Sequence, residues 1–185
     1  MTTNPVLEAA TTTFLKHKHW ADAAIMQVND RQLRVALHNK TNSIAVIMKH
    51  IAGNLKSRST NFLNEDGEKD WRNRDDEFTD NFTDRDELLA FWEDGWMALF
   101  QTLNALSDNH LTATITIRGE ELSVAQALQR SLGHTCYHIG QIIMVARCVC
   151  TTEWKVLTIP RGKSAQFNAL VWGDNNYRPL KTEET

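Results

Sequence analysis

The sequence is poor in everything that breaks or staples a chain. Only 3 prolines and 8 glycines occur in 185 residues. That scarcity speaks against many short strands joined by tight turns and favours long elements. The three cysteines, Cys136, Cys148 and Cys150, are an odd number without a CxxC pair. Neither a disulfide framework nor a cysteine zinc cluster is therefore expected, and a reducing, cytoplasmic setting is. Apolar runs such as IIMVA at Ile142–Ala146 fall far short of the ~20 residues that cross a bilayer. The N-terminal stretch has no basic start followed by an apolar core, so no secretory leader is expected. Charge of one sign is also missing: 20 basic residues against 23 acidic ones, a net of -3, argue against a nucleic-acid binder held by phosphate contacts. A hydrophobic content of 42% excludes disorder as the main state.

What the sequence does have is helical periodicity. Apolar residues recur at spacings of three and four in four stretches. The first runs from about Val6 to Asp30 through Leu7, Ala10, Phe14, Ala21, Ile25 and Val28. The second starts at the cap residues Asn42–Ser43 and carries Ile44, Ile47, Met48, Ile51 and Leu55. The third begins near Thr83 or Asp84, with acids in its first turn, and carries Leu88, Trp92, Trp96, Leu99 and Leu103. The fourth opens on Ser123-Val-Ala-Gln126, a capping-box pattern, and continues to about Cys150. Thr114–Gly119 alternates and reads as a short strand, a hairpin arm or an extended loop. The charged stretch Asn64–Glu87, with Arg72 and Arg74 among acids, reads as a solvated, self-neutralising loop. The expected architecture is all-α: a four-helix bundle over about residues 6–150, within a single domain of 1–185 that ends in an irregular extension, 151–185.

Seven histidines stand in the chain. Two of them, in His134-Thr-Cys-Tyr-His138, are one helical turn apart, about 6 Å in rise, so both imidazoles can reach one metal ion. On a helical wheel His138 lies about 40° from His134, and both sit at the inner edge of the apolar stripe. A buried imidazole left unpaired costs ~1–3 kcal/mol, so a metal or a specific hydrogen bond is required there. His50 borders the apolar stripe of the second helix, with Asn54 one turn on. Three imidazoles meeting inside a bundle would leave coordination positions open, as catalytic metal sites do. The other reading of His50 is a core histidine bonded to a carbonyl.

Asn54 and Arg58 follow His50 at one-turn steps. They read either as groups of a pocket beside the metal, with Arg58 anchoring an anion, or, for Arg58, as an ion-pair partner of the acidic loop. Gln141 lies close to His134 on the wheel and could orient a ligand or a water. His17 and His19 point to different faces and make no second site. Cys136 falls on the far side of its helix from His134 and is not a ligand. Gly162-Lys163-Ser164 is not a phosphate loop, because the glycine that pattern needs is replaced by Leu157.

The stretches NSIAVIMKHIAGNLKSRSTNFL (Asn42–Leu63), DGEKDWRNRDDEF (Asp66–Phe78), LGHTCYHIGQIIMVAR (Leu132–Arg147) and EWKVLTIPRGKSAQFN (Glu153–Asn168) resemble the DinB/YfiT-like superfamily of metalloenzymes, in a branch of uncharacterised bacterial proteins. The resemblance implies a four-helix bundle that is commonly dimeric. It implies a divalent metal, zinc or nickel, held by one histidine of the second helix and both of the HxxxH pair. On this chain those residues are His50, His134 and His138. Characterised relatives include transferases and isomerases that use a low-molecular-weight thiol.

Two functions of different class follow as expectations. One is a metal-dependent transferase that joins a thiol to a small electrophile. No general base is evident near the triad, which suits thiolate transfer better than hydrolysis, and no catalytic residue beyond the ligands is assigned. The other is a non-enzymatic, stress-related metal-binding dimer, with the tryptophans of the third helix at its interface. No nucleic acid or membrane partner is expected in either.

Overall fold

The computed structural model describes residues 5–172. Residues up to Glu153 form one compact unit, and Trp154 begins a second. The chain is mainly helical and carries one small two-stranded sheet.

In the first unit the long helices are α1 (Pro5–Ile25), α3 (Ile44–Ser59), α4 (Arg85–Ala105) and α5 (Val124–Val149). Their starts follow from side-chain caps. Ser43 accepts from Val46 N, Asp84 from Glu87 N and Ser123 from Gln126 N, each satisfying an N–H that has no helical partner. Helix α3 packs against α4 and α5, and α1 packs against α5 and α4. Every residue from Ile44 to Gly53 is buried, so α3 is enclosed on all sides rather than along one stripe. The α3–α4 contact is close because Gly95 has no side chain: a Cβ there would lie 2.6 Å from Ala52 Cα.

Trp92 and Trp96 are fully buried core residues. They meet edge to face at 5.4 Å, Phe14 meets Trp96 at 6.4 Å, and Trp92 Nε1 donates to Asp22 Oδ1 at 2.8 Å. These tryptophans are therefore not the surface material for an interface that the sequence suggests, and Phe91 is half-buried against Phe82 at 5.5 Å.

Two boundaries differ from the sequence reading, and one segment left open there is decided. The first helical pattern is interrupted after Ile25 and resumes as α2 (Asp30–Leu33), because Asn29 caps a new start in a capping box with Gln32. The alternating segment is β1 (Thr114–Ile117), and it pairs antiparallel with β2 (Glu120–Ser123) across a turn in which Arg118 and Gly119 both have positive φ. In the second unit the extension is not wholly irregular: Gly162, at φ 79, leads into helix α6 (Ser164–Trp172). No strand precedes α6 between Glu153 and Lys163, in keeping with the rejection of a phosphate loop.

Two loop ties fasten the segments that surround α3. Asp66 holds the hairpin turn by accepting from Arg118 N at 2.8 Å and Gly119 N at 2.8 Å. Lys49, buried on α3 next to His50, ties down the segment beyond Arg74. Its Nζ donates to Asp76 O (2.7 Å), Asp76 Oδ2 (2.6 Å), Thr79 O (3.0 Å) and Asn81 Oδ1 (2.7 Å). Four acceptors gathered around one ammonium, sharing its three N–H groups, fix the short 3-10 turn Asp76–Phe78 against α3.

Candidate metal centre

Helices α3 and α5 bring His50, His134 and His138 together. Their donor atoms all lie within 4.8 Å of one another, so this set could hold a metal ion. Ring centroids are 5.1 Å (His50–His134), 4.8 Å (His50–His138) and 4.6 Å (His134–His138) apart. The one-turn spacing of the HxxxH pair and the wheel position of His50 lead to this arrangement.

Two of the three rings are oriented from behind. His50 Nδ1 faces Glu77 Oε2 at 2.8 Å, and a carboxylate can only accept, so Nδ1 carries the proton and Nε2 presents its lone pair. His138 Nδ1 donates to Gln141 Oε1 at 2.8 Å, while Gln141 Nε2 donates to Tyr137 Oη at 3.1 Å. His138 Nε2 is left free in the same way. His134 is held differently: its Nε2 lies 3.1 Å from His50 Nε2, and its Nδ1 is buried without a partner. Phe78 stacks on His50 at a centroid distance of 5.0 Å and covers that ring.

The electrostatics disfavour protonated imidazoles. Burial pushes His134 down to about 3, and the neighbouring His138 and His50 add to the shift. Burial also lowers His138, against the raising effect of its bond to Gln141. Neutral rings with exposed lone pairs are the form that ligates a metal.

Glu77 was not found from sequence as a site residue. Burial would raise its carboxyl, yet the bonds from His50 and Arg72 outweigh that and hold it below the usual range. Arg72 meets it twice, Nε to Oε1 at 2.7 Å and Nη2 to Oε2 at 2.9 Å. The side chains of Arg72 and Glu77 are only 2% and 5% exposed, which corrects the solvated-loop reading for these two residues, while Asn73, Arg74 and Asp75 between them are exposed as expected. Its signal was present in the quoted segment Asp66–Phe78, but 27 residues from His50 no periodicity links them.

Beside the histidines lies a cavity of about 310 Å³. Asn54 and Arg58 line it, whereas Gln141 stands behind His138. Arg58 satisfies both readings: it lines the cavity, and its Nη2 pairs with Glu68 Oε2 at 3.0 Å. No carboxylate lines the cavity among the described residues. His17 instead bonds Thr13 O at 2.8 Å, and His38 is exposed. No described helix is long and apolar enough to cross a membrane.

A mainly helical protein with three converging imidazoles over a cavity is the class that the structure defines. The chain belongs to DUF1572, a family described as a protein of unknown function, which it matches over residues 1–163. Neither the curated proteins nor the solved structures contain a match to it.

Proposed function

We propose that this chain is a divalent-metal protein of the DinB-like superfamily, a four-helix bundle whose cavity serves a metal-dependent thiol transfer to a small electrophile. The observation that carries the metal reading is the facing set of imidazoles, with Glu77 fixing the tautomer of His50 and Gln141 that of His138. Without an ion, His134 Nε2 can donate to the lone pair of His50 Nε2 across 3.1 Å, but its Nδ1 then stays buried with no partner, which the protein alone does not satisfy. Three imidazoles with open positions are the donor set of a substrate-binding metal site rather than a closed structural one. They suit zinc or nickel, among other divalent ions.

A divalent ion held there supplies one thing, a water or thiol made acidic enough to ionise near neutral pH. The chain's own residues do the rest. Glu77 holds His50 in its metal-binding tautomer and is itself held by Arg72. Gln141 does the same for His138. Both Glu77 oxygens are engaged, so it orients a ligand and does not act as a base. The absence of a carboxylate from the described cavity wall favours thiol transfer, which needs no separate base, over hydrolysis. The homodimer implied by the superfamily belongs to the same proposal, and sedimentation at twice the 21.1 kDa chain mass would support it.

The test is direct. Elemental analysis of the purified protein, with nickel and zinc titrations of the chelated form, should give one ion per chain. Turnover of model electrophiles with several low-molecular-weight thiols should disappear on chelation. Metal binding without turnover would leave a non-enzymatic metal protein. A metal content unchanged in the His134→Ala/His138→Ala double variant would sink the site.

A further inference from the structure

The cavity wall is rich in cations. Arg58, Arg72, Arg74, Arg118 and Arg130 all line it. Arg130 is matched by Glu120 at 2.7 Å. Arg58, Arg72 and Arg118 all lean on one oxygen, Glu68 Oε2, at 3.0, 3.3 and 3.0 Å. Glu77 is the second carboxylate, and it is already shared between Arg72 and His50. Arg74 lies over the Phe78 ring, 5.3 Å from its centroid, and makes no ion pair among the described residues. Three guanidiniums therefore share two carboxylates and Arg74 has none, so the four cations exceed the carboxylates that face them by two.

The surplus concentrates at Arg58. Its side chain is 13% exposed, its Nη2 is taken by Glu68, and its Nη1 is buried without an acceptor. A guanidinium donor left unmade in a buried position is costly; Nη1 does not itself open onto the cavity, so a turn of the Arg58 head group is what would offer its fork to a planar oxyanion, the group that best matches it. Burial, then the adjacent Arg72, depress the Arg58 guanidinium further than Glu68 restores it. The rest of the wall has another character: Phe62, Leu99, Ile117 and Leu128 give it an apolar side.

We infer that the cavity takes a small amphipathic organic anion, its carboxylate or phosphate seated on Arg58 and its apolar body against Phe62, Leu99 and Leu128. His50, Asn54 and Arg58 stand at successive turns of α3, so His50 and Arg58 are about 12 Å apart along the axis. A ligand that touches both ends is an elongated metabolite-sized molecule, not a bare inorganic ion. That this anion is a substrate or cosubstrate rests on the metal reading above. The anion seat does not, because it needs no metal.

The experiment separates the two. The full-length protein is stripped with chelator and titrated calorimetrically with phenylacetate, phenyl phosphate and the neutral phenylacetamide. At least one of the two anions should bind about tenfold or more tightly than the amide. The tighter of the two names the head group. Arg58→Met should abolish the preference and Arg58→Lys should retain part of it, with circular dichroism checking that each is folded. Anions that bind no better than the amide to the wild type would overturn the inference without recourse to any variant. So would a preference that survives in folded Arg58→Met, or one that exists only when nickel is added. Anion preference without nickel binding would remove the metal reading and leave this one standing; nickel binding without anion preference would do the reverse.

Discussion

Gly53 makes the room that Glu77 occupies. A Cβ at Gly53 would lie 2.5 Å from Glu77 Oε1, so the bare backbone of α3 is what lets that carboxylate come alongside His50. The neighbour is the end of a flexible side chain, which can swing away from an added methyl. Glu77 is held by His50 and twice by Arg72, so that swing breaks a buried pair, and Gly53→Ala should lower stability, offset in part by the ~1 kcal/mol that alanine gains over glycine inside a helix. The metal site should suffer as well, since losing the partner behind a metal-ligating histidine typically costs about 10–100-fold in affinity. Nickel titration beside a thermal melt checks this, and unchanged nickel affinity would show that Glu77 does not set the His50 ring.

Glu77 itself separates stability from site chemistry. Replacing it by alanine leaves Arg72, at 2% side-chain exposure, with only the longer 3.3 Å contact to Glu68. Breaking a buried pair in this way costs roughly 3–5 kcal/mol, because one charge stays buried alone. Glu77→Gln keeps an acceptor for one neighbour and should cost less while still weakening nickel. Chemical denaturation of both variants tests the order; equal, small losses would mean the pair is more hydrated than its burial suggests.

How far the site was legible in the sequence depends on the range of each contact. The HxxxH pair is a one-turn relation and His50 a wheel position, and both are written in local periodicity. So are the caps at Ser43, Asp84 and Ser123, which set the helix starts. Glu77 and Arg72 reach the site from a segment with no repeat, held by Lys49 through main-chain and side-chain acceptors that no spacing rule announces. The tryptophans of α4 were legible as large and apolar, but not as core or interface, since both uses need the same residues. Strand β2 was missed because its sequence, Glu-Glu-Leu-Ser, has little strand character and is extended by pairing with β1.

The hairpin offers a stability test in acid. Burial would raise the Asp66 carboxyl, but its bonds from Gly119, Glu68 and Arg118 N–H groups hold it well below the ordinary range. The folded form thus binds a proton less readily than the unfolded chain, whose carboxyl titrates near ~3.9. The contribution is complete above that value and is lost as pH falls further below it. Asp66→Asn should flatten this acid limb and loosen the turn, seen as faster amide exchange at Arg118 and Gly119. Exchange unaltered in the variant would mean that the turn holds itself.

Metal affinity should resist mild acid. Protons compete with a metal for imidazole nitrogens, and ordinary histidines lose that contest below about pH 6.5. His134 is pushed down to about 3 and His138 is lowered as well, both chiefly by burial. Nickel binding should therefore change little from pH 7.5 to 6 and decline only below that. The metal-free protein should meanwhile lose stability as pH drops below about 6.5, because the unfolded chain takes up protons that the buried rings refuse. A steep fall in affinity between pH 7 and 6 would show that these rings titrate as exposed histidines do.

The last prediction sets His50 against His134. Without metal their positions differ: His50 is bonded to Glu77 and covered by Phe78, whereas His134 has an orphaned Nδ1. Removing a satisfied group costs ~1–3 kcal/mol, so His50→Ala should lower the melting temperature in excess chelator. His134→Ala removes one nitrogen that had no partner and one whose only bond is the 3.1 Å contact to His50 Nε2, and it should cost less. With metal the ranking should collapse. An ion bound to the native state stabilises it by ~2.7 kcal/mol at a hundredfold excess over its Kd, and either variant has lost one of three donors. Wild type should thus gain a large melting increment from zinc or nickel, and both variants should gain little. Equal increments in wild type and His50→Ala would take His50 out of the ligand set. A larger loss for His134→Ala than for His50→Ala in chelator would mean that the Nδ1 of His134 is satisfied after all, by a bound water or a shift of the ring.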